Sequence, residues 1–114
     1  MDSQASRNPP PLFESLPELK GKIRWLLLGS FPTPVQRLTN LGLKNLWIKR
    51  DDLSSPIYGG NKIRKLGFIL PDLIQKNKTR LVTLGGIGAN HVLASAIFSQ
   101  QMGIPCTLLL FNHR

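Results

Sequence analysis

The residues best suited to chemistry begin with a lysine that follows two glycines, in the segment Gly59-Gly60-Asn61-Lys62. The glycines allow the backbone to turn sharply and to approach a ligand closely. A helix is predicted to begin immediately afterwards, and a helix N-terminus favours anions. Arg64 and Lys65 add like charges beside Lys62, which favours the neutral amine that a Schiff-base lysine requires. The alternative interpretation is three solvated cations on a helix surface.

A second glycine segment, Gly85-Gly86-Ile87-Gly88-Ala89-Asn90-His91, stands between a predicted strand and a predicted helix. In open parallel sheets, ligands bind at the carboxyl ends of the strands. Asn90 can cap the helix or donate a hydrogen bond to a ligand oxygen. A dinucleotide site is not favoured, because His91 stands where the third glycine belongs and no acidic residue follows about twenty residues later.

The histidines and the cysteine do not form a metal motif. His91 and His113 are widely spaced, and Cys106 is the only cysteine. Structural and catalytic metal sites need three or four ligands at short, regular spacings, so no metal is predicted. A histidine at a helix start is more often a packing or capping residue, and we interpret His91 in that way.

The elements that must position these segments alternate between strands and helices. Strands are predicted at Leu46–Lys49, Leu81–Leu84 and Cys106–Phe111. A strand, a glycine loop, a helix and a strand within about thirty residues form a βαβ unit. The predicted fold class is therefore α/β, an open parallel sheet with flanking helices.

Two helices are predicted from apolar residues at intervals of three and four. Pro71 falls inside the first pattern and removes the bond to the Gly67 carbonyl, so we expect a kink or a break there. The second helix should end near Gly103. The predicted buried positions are Ile63, Leu66, Leu70, Leu73 and Ile74 in the first helix, and Val92, Leu93, Ala96 and Ile97 in the second.

Residues 1–22 are predicted to be a flexible, Pro-rich N-terminal lead, and residues 23–114 a partial α/β domain. The consecutive prolines at 9–11 favour extended structure. Trp25–Leu28 is expected to be extended, and Phe31–Pro34 cannot be helical because each proline restricts the residue before it.

The composition excludes several classes of protein. The chain has 114 residues, enough for one core but not for two full domains. Its apolar runs are far shorter than the ~20 residues that span a bilayer, so no membrane partner is predicted. Cys106 cannot form an internal disulfide, and a reducing cytoplasm is the expected compartment. The formal charge of +9 favours anions, but the basic residues are scattered, so a nucleic-acid-binding protein is the less favoured alternative.

A series of motifs in fixed order resembles one family. The motifs are Pro32-Thr33-Pro34-Val35, Lys49-Arg50-Asp51-Asp52-Leu53, Gly59-Gly60-Asn61-Lys62-x-Arg64-Lys65-Leu66 and Gly85-Gly86-Ile87-x-x-Asn90-His91. They are similar to those of the 1-aminocyclopropane-1-carboxylate deaminase/D-cysteine desulfhydrase family. These are pyridoxal 5′-phosphate (PLP)-dependent enzymes of the tryptophan-synthase-β-like group, fold type II. The resemblance runs from about Gly29 to Phe111 and covers the N-terminal part of a usual member.

The resemblance implies a role for each site residue. Lys62 would form the Schiff base with PLP and later move the substrate proton. Asn90 would hydrogen-bond the 3′-hydroxyl of the cofactor, Lys65 would help to bind its phosphate, and Asn61 would help to shape the pocket. The substrate would be a small amino acid, and the reaction that of a lyase or hydrolase, deaminase or desulfhydrase. Residues 23–114 would start the large PLP domain and supply the first βαβ unit of the small domain, in an enzyme that is often a homodimer.

This sequence departs from the family pattern in two respects. Members usually carry Gln-Ser before the asparagine, whereas here Gly88 and Ala89 occupy those positions. Ala89 has no hydroxyl to contact the substrate or aid proton transfer, so the family's particular substrates are not carried over. The phosphate-binding glycine loop, the residue facing the pyridine nitrogen and the late aromatic contacts are also missing. We therefore expect an N-terminal fragment that is inactive alone, with a truncated, non-catalytic remnant as the alternative.

Overall fold

The computed structural model describes residues 9–112, in which short N-terminal elements precede alternating strands and helices. Two turns of 3-10 helix, Pro17–Leu19 and Asp51–Leu53, lie in the connections. The predicted α/β class is confirmed. The helices and strands, in chain order, are α1 (Leu12–Ser15), β1 (Val35–Arg37), β2 (Trp47–Lys49), α2 (Lys62–Gln75), β3 (Leu81–Gly86), α3 (Asn90–Gln101) and β4 (Cys106–Phe111).

The strands of the described part form two separate pairs. β1 and β2 are antiparallel, with Val35 opposite Lys49 and Arg37 opposite Trp47. β3 and β4 are parallel, in a register that runs from Leu81 opposite Cys106 to Gly86 opposite Phe111. α3 connects this second pair and packs against both of its strands, so the predicted βαβ unit is confirmed.

The core lies between α2, α3 and the parallel pair of strands. α2 packs against α3 through the apolar face predicted from its spacing, although Ile74 is half exposed rather than buried. Burying such side chains is the main favourable contribution to folding, at about 25 cal/mol per Å² of apolar surface. The buried cluster consists of Ile63, Leu66, Leu70, Leu73, Ala94, Phe98 and Ile104.

The prediction of which α3 residues are buried was wrong in part. Leu93 is 49% exposed, whereas Ser95 and Ser99 are fully buried. The small serine side chains allow close packing, and the Ser99 hydroxyl donates to the Ser95 carbonyl at 2.6 Å. A buried hydroxyl without such a bond would destabilise the fold. Because the packed face contains serines, the spacing of the apolar residues alone predicted the wrong orientation for the helix.

A kink or a break was expected at Pro71, and the break does not occur: α2 continues through it to Gln75. Proline lacks the N–H that would bond to the carbonyl four residues earlier, at Gly67. That carbonyl accepts instead from the backbone N–H of Leu26, at 2.8 Å. Trp25–Leu28 belongs to no strand, and this bond attaches the segment to α2.

The described part of the predicted N-terminal lead contains α1 and the first 3-10 turn. Phe13 of α1 lies edge-on to Phe68 of α2, with 6.2 Å between ring centres. The remainder of the lead, residues 1–8, and the C-terminal His113 and Arg114 lie outside the described residues. The division at residue 22 stays a prediction. None of the helices within residues 9–112 combines the length and apolarity needed to cross a membrane.

Candidate active site

The turn before Lys62 is held by backbone bonds to the preceding 3-10 turn. The Gly60 N–H donates to the Asp51 carbonyl at 2.7 Å and to the buried Ser54 hydroxyl at 3.0 Å. A Cβ at Gly59 would lie 1.9 Å from the Asp52 carbonyl oxygen, so only glycine fits there. Gly60 has a φ of +125°, a conformation that side chains rarely adopt. Both glycines are therefore required by the geometry of this turn.

Lys62 is the first residue of α2 and is half buried. The next residue, Ile63, is 2% exposed and fixes this end of the helix to the core. Among residues 9–112, no hydrogen bond or ion pair engages the Lys62 amine. The backbone around Lys62 is thus held by hydrogen bonds and by a buried neighbour, while its amine has no partner among residues 9–112.

Arg64 is bound to groups from two earlier segments. Its Nε and Nη2 donate to the two carboxylate oxygens of Asp51, at 3.0 and 2.6 Å. The buried Thr33 hydroxyl donates to Asp51 at 2.8 Å and accepts from Arg64 Nη2 at 3.1 Å. These bonds lower the pKa of Asp51, chiefly through Arg64, and raise that of Arg64. Arg64 is therefore not the unpaired like charge beside Lys62 that the sequence suggested.

The second glycine segment forms a tight connection from β3 to α3. Gly86 ends β3, and its carbonyl accepts from the Ala89 N–H at 3.0 Å. Gly88 has a φ of +83°, which its lack of a side chain permits. Ala89 is the N-cap residue and offers no side-chain cap to the helix. Asn90 is the first residue of α3, at the carboxyl end of the parallel strands.

The two glycine segments meet through Tyr58 and Asn90, whose side chains are 32 residues apart in sequence. The Tyr58 hydroxyl donates to Asn90 Oδ1 at 3.2 Å, and Tyr58 also packs against the core cluster. Within residues 9–112, the Asn90 side-chain nitrogen has no acceptor and is free to donate to a ligand. Sequence reasoning missed Tyr58 as a contact, and its position beside Gly59 was the only available signal.

The other predicted site residues lie near these two helix starts. Asn61 is the N-cap residue of α2 but makes no side-chain cap bond, and Lys65 is exposed on the first turn of the helix. His91 is half buried, in the first turn of α3. The described residues contain no group of three or more His, Cys, Asp or Glu that could hold a metal ion.

A cavity of about 470 Å³ lies at a different place from the free lysine amine. Trp25, Phe31 and Phe68 line it together with Lys49, Arg64 and several N-terminal residues, whereas Lys62 and Asn90 do not. The two helix starts that carry Lys62 and Asn90 therefore lie outside this cavity.

Comparison with known proteins identifies the family. Residues 26–113 match the family described as pyridoxal-phosphate dependent enzyme. The chain belongs to this family. The matched residues include both glycine segments, the one before Lys62 and the one before Asn90.

The curated relatives have names that agree with the resemblance. D-cysteine desulfhydrase of Salmonella paratyphi A is 38% identical over 89 residues, which cover 75% of this chain and 27% of that protein. 1-aminocyclopropane-1-carboxylate deaminase of Bradyrhizobium diazoefficiens is 39% identical over 84 residues, 68% of this chain and 25% of the relative. A bifunctional mitochondrial enzyme of Arabidopsis thaliana, named for both activities, is 38% identical over 86 residues, which cover 73% of this chain and 21% of that protein. This PLP-family chain spans about a quarter of the length of the curated relatives it matches.

The residues present fit the part of PLP that they would contact. An aldehyde needs a free amine, and a ring hydroxyl needs a hydrogen-bond partner. The Lys62 amine and the Asn90 amide nitrogen are both unengaged within the described residues. Gly60 and Gly88 leave open space beside these positions, since a Cβ at either would meet no atom within 4 Å.

Proposed function

We propose that this chain is the N-terminal part of a PLP-dependent lyase or deaminase that acts on a small amino acid. Lys62 would bind the cofactor aldehyde through Nζ. The observation that carries the proposal is the free Lys62 amine at the start of α2, together with the Tyr58–Asn90 bond that joins the second family motif to the same region.

Each residue would have a distinct task in this site. Lys62 Nζ would hold the cofactor and then accept and return the substrate proton. Asn90 would donate from its amide nitrogen to the cofactor hydroxyl, while Tyr58 occupies the amide oxygen. Lys65 would add positive charge for the phosphate, and Asn61 would line the pocket. When bound, PLP supplies an electron sink for the bond broken next to the substrate amino group.

The names of the relatives support the proposed substrate class, and Ala89 limits how precisely the substrate can be stated. The Salmonella and Bradyrhizobium proteins are named for D-cysteine and for 1-aminocyclopropane-1-carboxylate. For this chain we propose a substrate of the same kind, a small amino acid that carries a leaving group or a strained ring. Ala89, the N-cap residue of α3, has an extended backbone and a methyl side chain, so it cannot supply a hydroxyl for proton transfer.

The proposal is tested by covalent trapping. The purified protein is incubated with PLP, reduced with borohydride and digested, and the modified lysine is identified by mass spectrometry. We expect Lys62 to carry most of the label, because its amine is free and the turn before it is held by the hydrogen bonds of Gly60. Lys62→Ala should remove that labelled peptide and the visible absorption of the bound cofactor.

Lys65→Ala is the matched control, because it removes a lysine from the same helix turn. It should leave the Lys62 label in place and weaken cofactor binding only modestly. Equal labelling of all surface lysines in the native protein, or an unchanged spectrum after Lys62→Ala, would contradict the proposed function.

A further inference from the structure

We infer that Asp51 is the positioning residue for Lys62, because it holds the chain on both sides of that lysine. This inference rests on the proposed function. Among residues 9–112, no hydrogen bond or ion pair joins the Asp51 carboxylate to Lys62. Asp51 acts through its own backbone on one side and through its carboxylate on the other.

On the N-terminal side, Asp51 fixes the glycine turn. Its carbonyl accepts from the Gly60 N–H at 2.7 Å, two residues before Lys62. Ser54, at the end of the same 3-10 turn, has a fully buried hydroxyl that donates to the Gly60 carbonyl and accepts from the Gly60 N–H, each at 3.0 Å. The direction in which the chain enters α2 is thus determined by the 3-10 turn that Asp51 begins.

On the C-terminal side, Asp51 fixes the first turn of α2. Its two carboxylate oxygens bind Arg64, two residues after Lys62, in a bidentate pair that restricts both distance and orientation. Thr33, 3% exposed, completes the arrangement by bonding to both partners. The Arg64 guanidinium carbon also lies 4.6 Å from the centre of the Phe31 ring, which limits its movement further.

The carboxylate of the adjacent residue, Asp52, does not bind α2, so the contact with Arg64 is particular to Asp51. Asp52 lies in the same 3-10 turn and also pairs with an arginine, but that partner is Arg50, outside α2. Asp52 therefore carries the same charge in the same turn, but its carboxylate does not bind the residues that flank Lys62. The two aspartates form a matched pair for experiment.

The test compares Asp51→Asn with Asp52→Asn in the whole protein. Lysine labelling by PLP and borohydride is measured as the ratio of label on Lys62 to label on Lys65. Both lysines lie on α2, so a general loosening of the helix would affect both. Asp51→Asn keeps the backbone bond to Gly60 and removes only the carboxylate. We expect it to lower the ratio about tenfold, which is less than the roughly hundredfold loss that a misplacement of about 1 Å can cause. Asp52→Asn should leave the ratio unchanged.

A second measurement does not depend on the cofactor. Amide hydrogen exchange of residues 60–65 should accelerate in Asp51→Asn, relative to the amides of α3, and should not accelerate in Asp52→Asn. If Lys62 of the native protein takes no label, the proposed function fails. The exchange result then decides whether Asp51 orders this segment. Equal effects of the two variants, or none from Asp51→Asn, would overturn the inference.

Arg64→Lys changes the other partner of the ion pair and replaces Asp51→Asn if that variant does not fold. It keeps the charge but loses the two-point geometry of the guanidinium. The ratio of label on Lys62 to label on Lys65 should fall in the same direction as in Asp51→Asn, by a smaller factor. An unchanged ratio in a folded Arg64→Lys protein would overturn the inference independently of Asp51.

Discussion

At the scale of single residues, the partners of two adjacent aspartates decide what each one does. Asp51 binds Arg64 and Thr33 in a half-buried network, whereas Asp52 pairs with Arg50 in the open. Exposed ion pairs contribute at most about 1 kcal/mol, because water and salt screen them. Bidentate pairs with a further hydrogen bond are stronger and more directional. Identical side chains in one turn therefore make unequal contributions to the site.

The Asp51–Arg64 pair predicts how stability depends on pH. Hydrogen bonding from Arg64 lowers the pKa of Asp51 below its ordinary value of 3.8. The stabilisation is therefore fully present above 3.8 and is lost as pH falls through the lower, folded pKa. We expect the difference in unfolding free energy between native protein and Asp51→Asn to shrink as pH falls below that value. Urea unfolding at a series of pH values measures it.

Asp52→Asn serves as the control for this pH series. Arg50 also lowers the pKa of Asp52, but that carboxylate is exposed to solvent. The difference in unfolding free energy between native protein and Asp52→Asn should therefore be smaller. About 0.5 M salt should remove it, since the screening length is then only a few ångströms. A difference for Asp51→Asn that does not change with pH would mean that the carboxylate is not held by Arg64.

At the scale of elements, α2 is attached to the N-terminal segment by a proline and a glycine one turn apart. Pro71 lacks an N–H, which leaves the Gly67 carbonyl for the Leu26 N–H. Gly67 is buried, and its missing side chain is what lets this segment approach. The features that weaken an isolated helix therefore create its contact with the preceding chain.

Gly67→Ala tests this contact. A Cβ there would lie 2.8 Å from the Leu26 carbonyl oxygen and 3.2 Å from Trp25 Nε1. Alanine gains about 1 kcal/mol of helix propensity. The clashing backbone atom cannot rotate away, and overpacking costs about 1–3 kcal/mol. We expect a net destabilisation, measured as a lower denaturant midpoint. The exposed Gln75→Ala should change it little, and a higher midpoint for Gly67→Ala would contradict the predicted clash.

At the scale of the whole molecule, one face of the parallel sheet is apolar and open. α3 covers the face that carries buried Thr83, while Val82, Leu84 and Leu109 are 56, 66 and 54% exposed. Leu84 and Leu109 are register partners, so these side chains lie side by side. Open apolar faces and strand edges promote association. The homodimer that the resemblance implies for a full-length member stays a prediction.

The 114-residue chain should therefore self-associate as its concentration rises, as sedimentation velocity would show. Leu84→Lys with Leu109→Lys should reduce association by placing charges on the open face. Leu41→Lys is the matched control, because Leu41 is 63% exposed and lies in the connection between β1 and β2, which belong to the other pair of strands. Monomeric native protein at all concentrations, or an equal effect of Leu41→Lys, would contradict this prediction.

Local patterns predicted much of the secondary structure. The apolar spacing of α2 and the β-branched and leucine-rich runs of β3 and β4 gave correct elements, because helix and strand periods follow from backbone geometry. The orientation of α3 could not be predicted, since Ser95 and Ser99 are buried by tertiary packing and by a bond within the helix. The continuation of α2 through Pro71 could not be predicted either, because the Gly67 carbonyl is satisfied by the N–H of Leu26, which is distant in sequence.

By itself, the sequence determined the family motifs, the βαβ order and the candidate residues Lys62, Asn90, Asn61 and Lys65. The tertiary structure alone decided that Tyr58 binds Asn90 and that Asp51 binds Arg64. Those contacts join side chains 32 and 13 residues apart. Such pairings are set by how the packed helices and turns place their backbones, and no local preference of the chain encodes them.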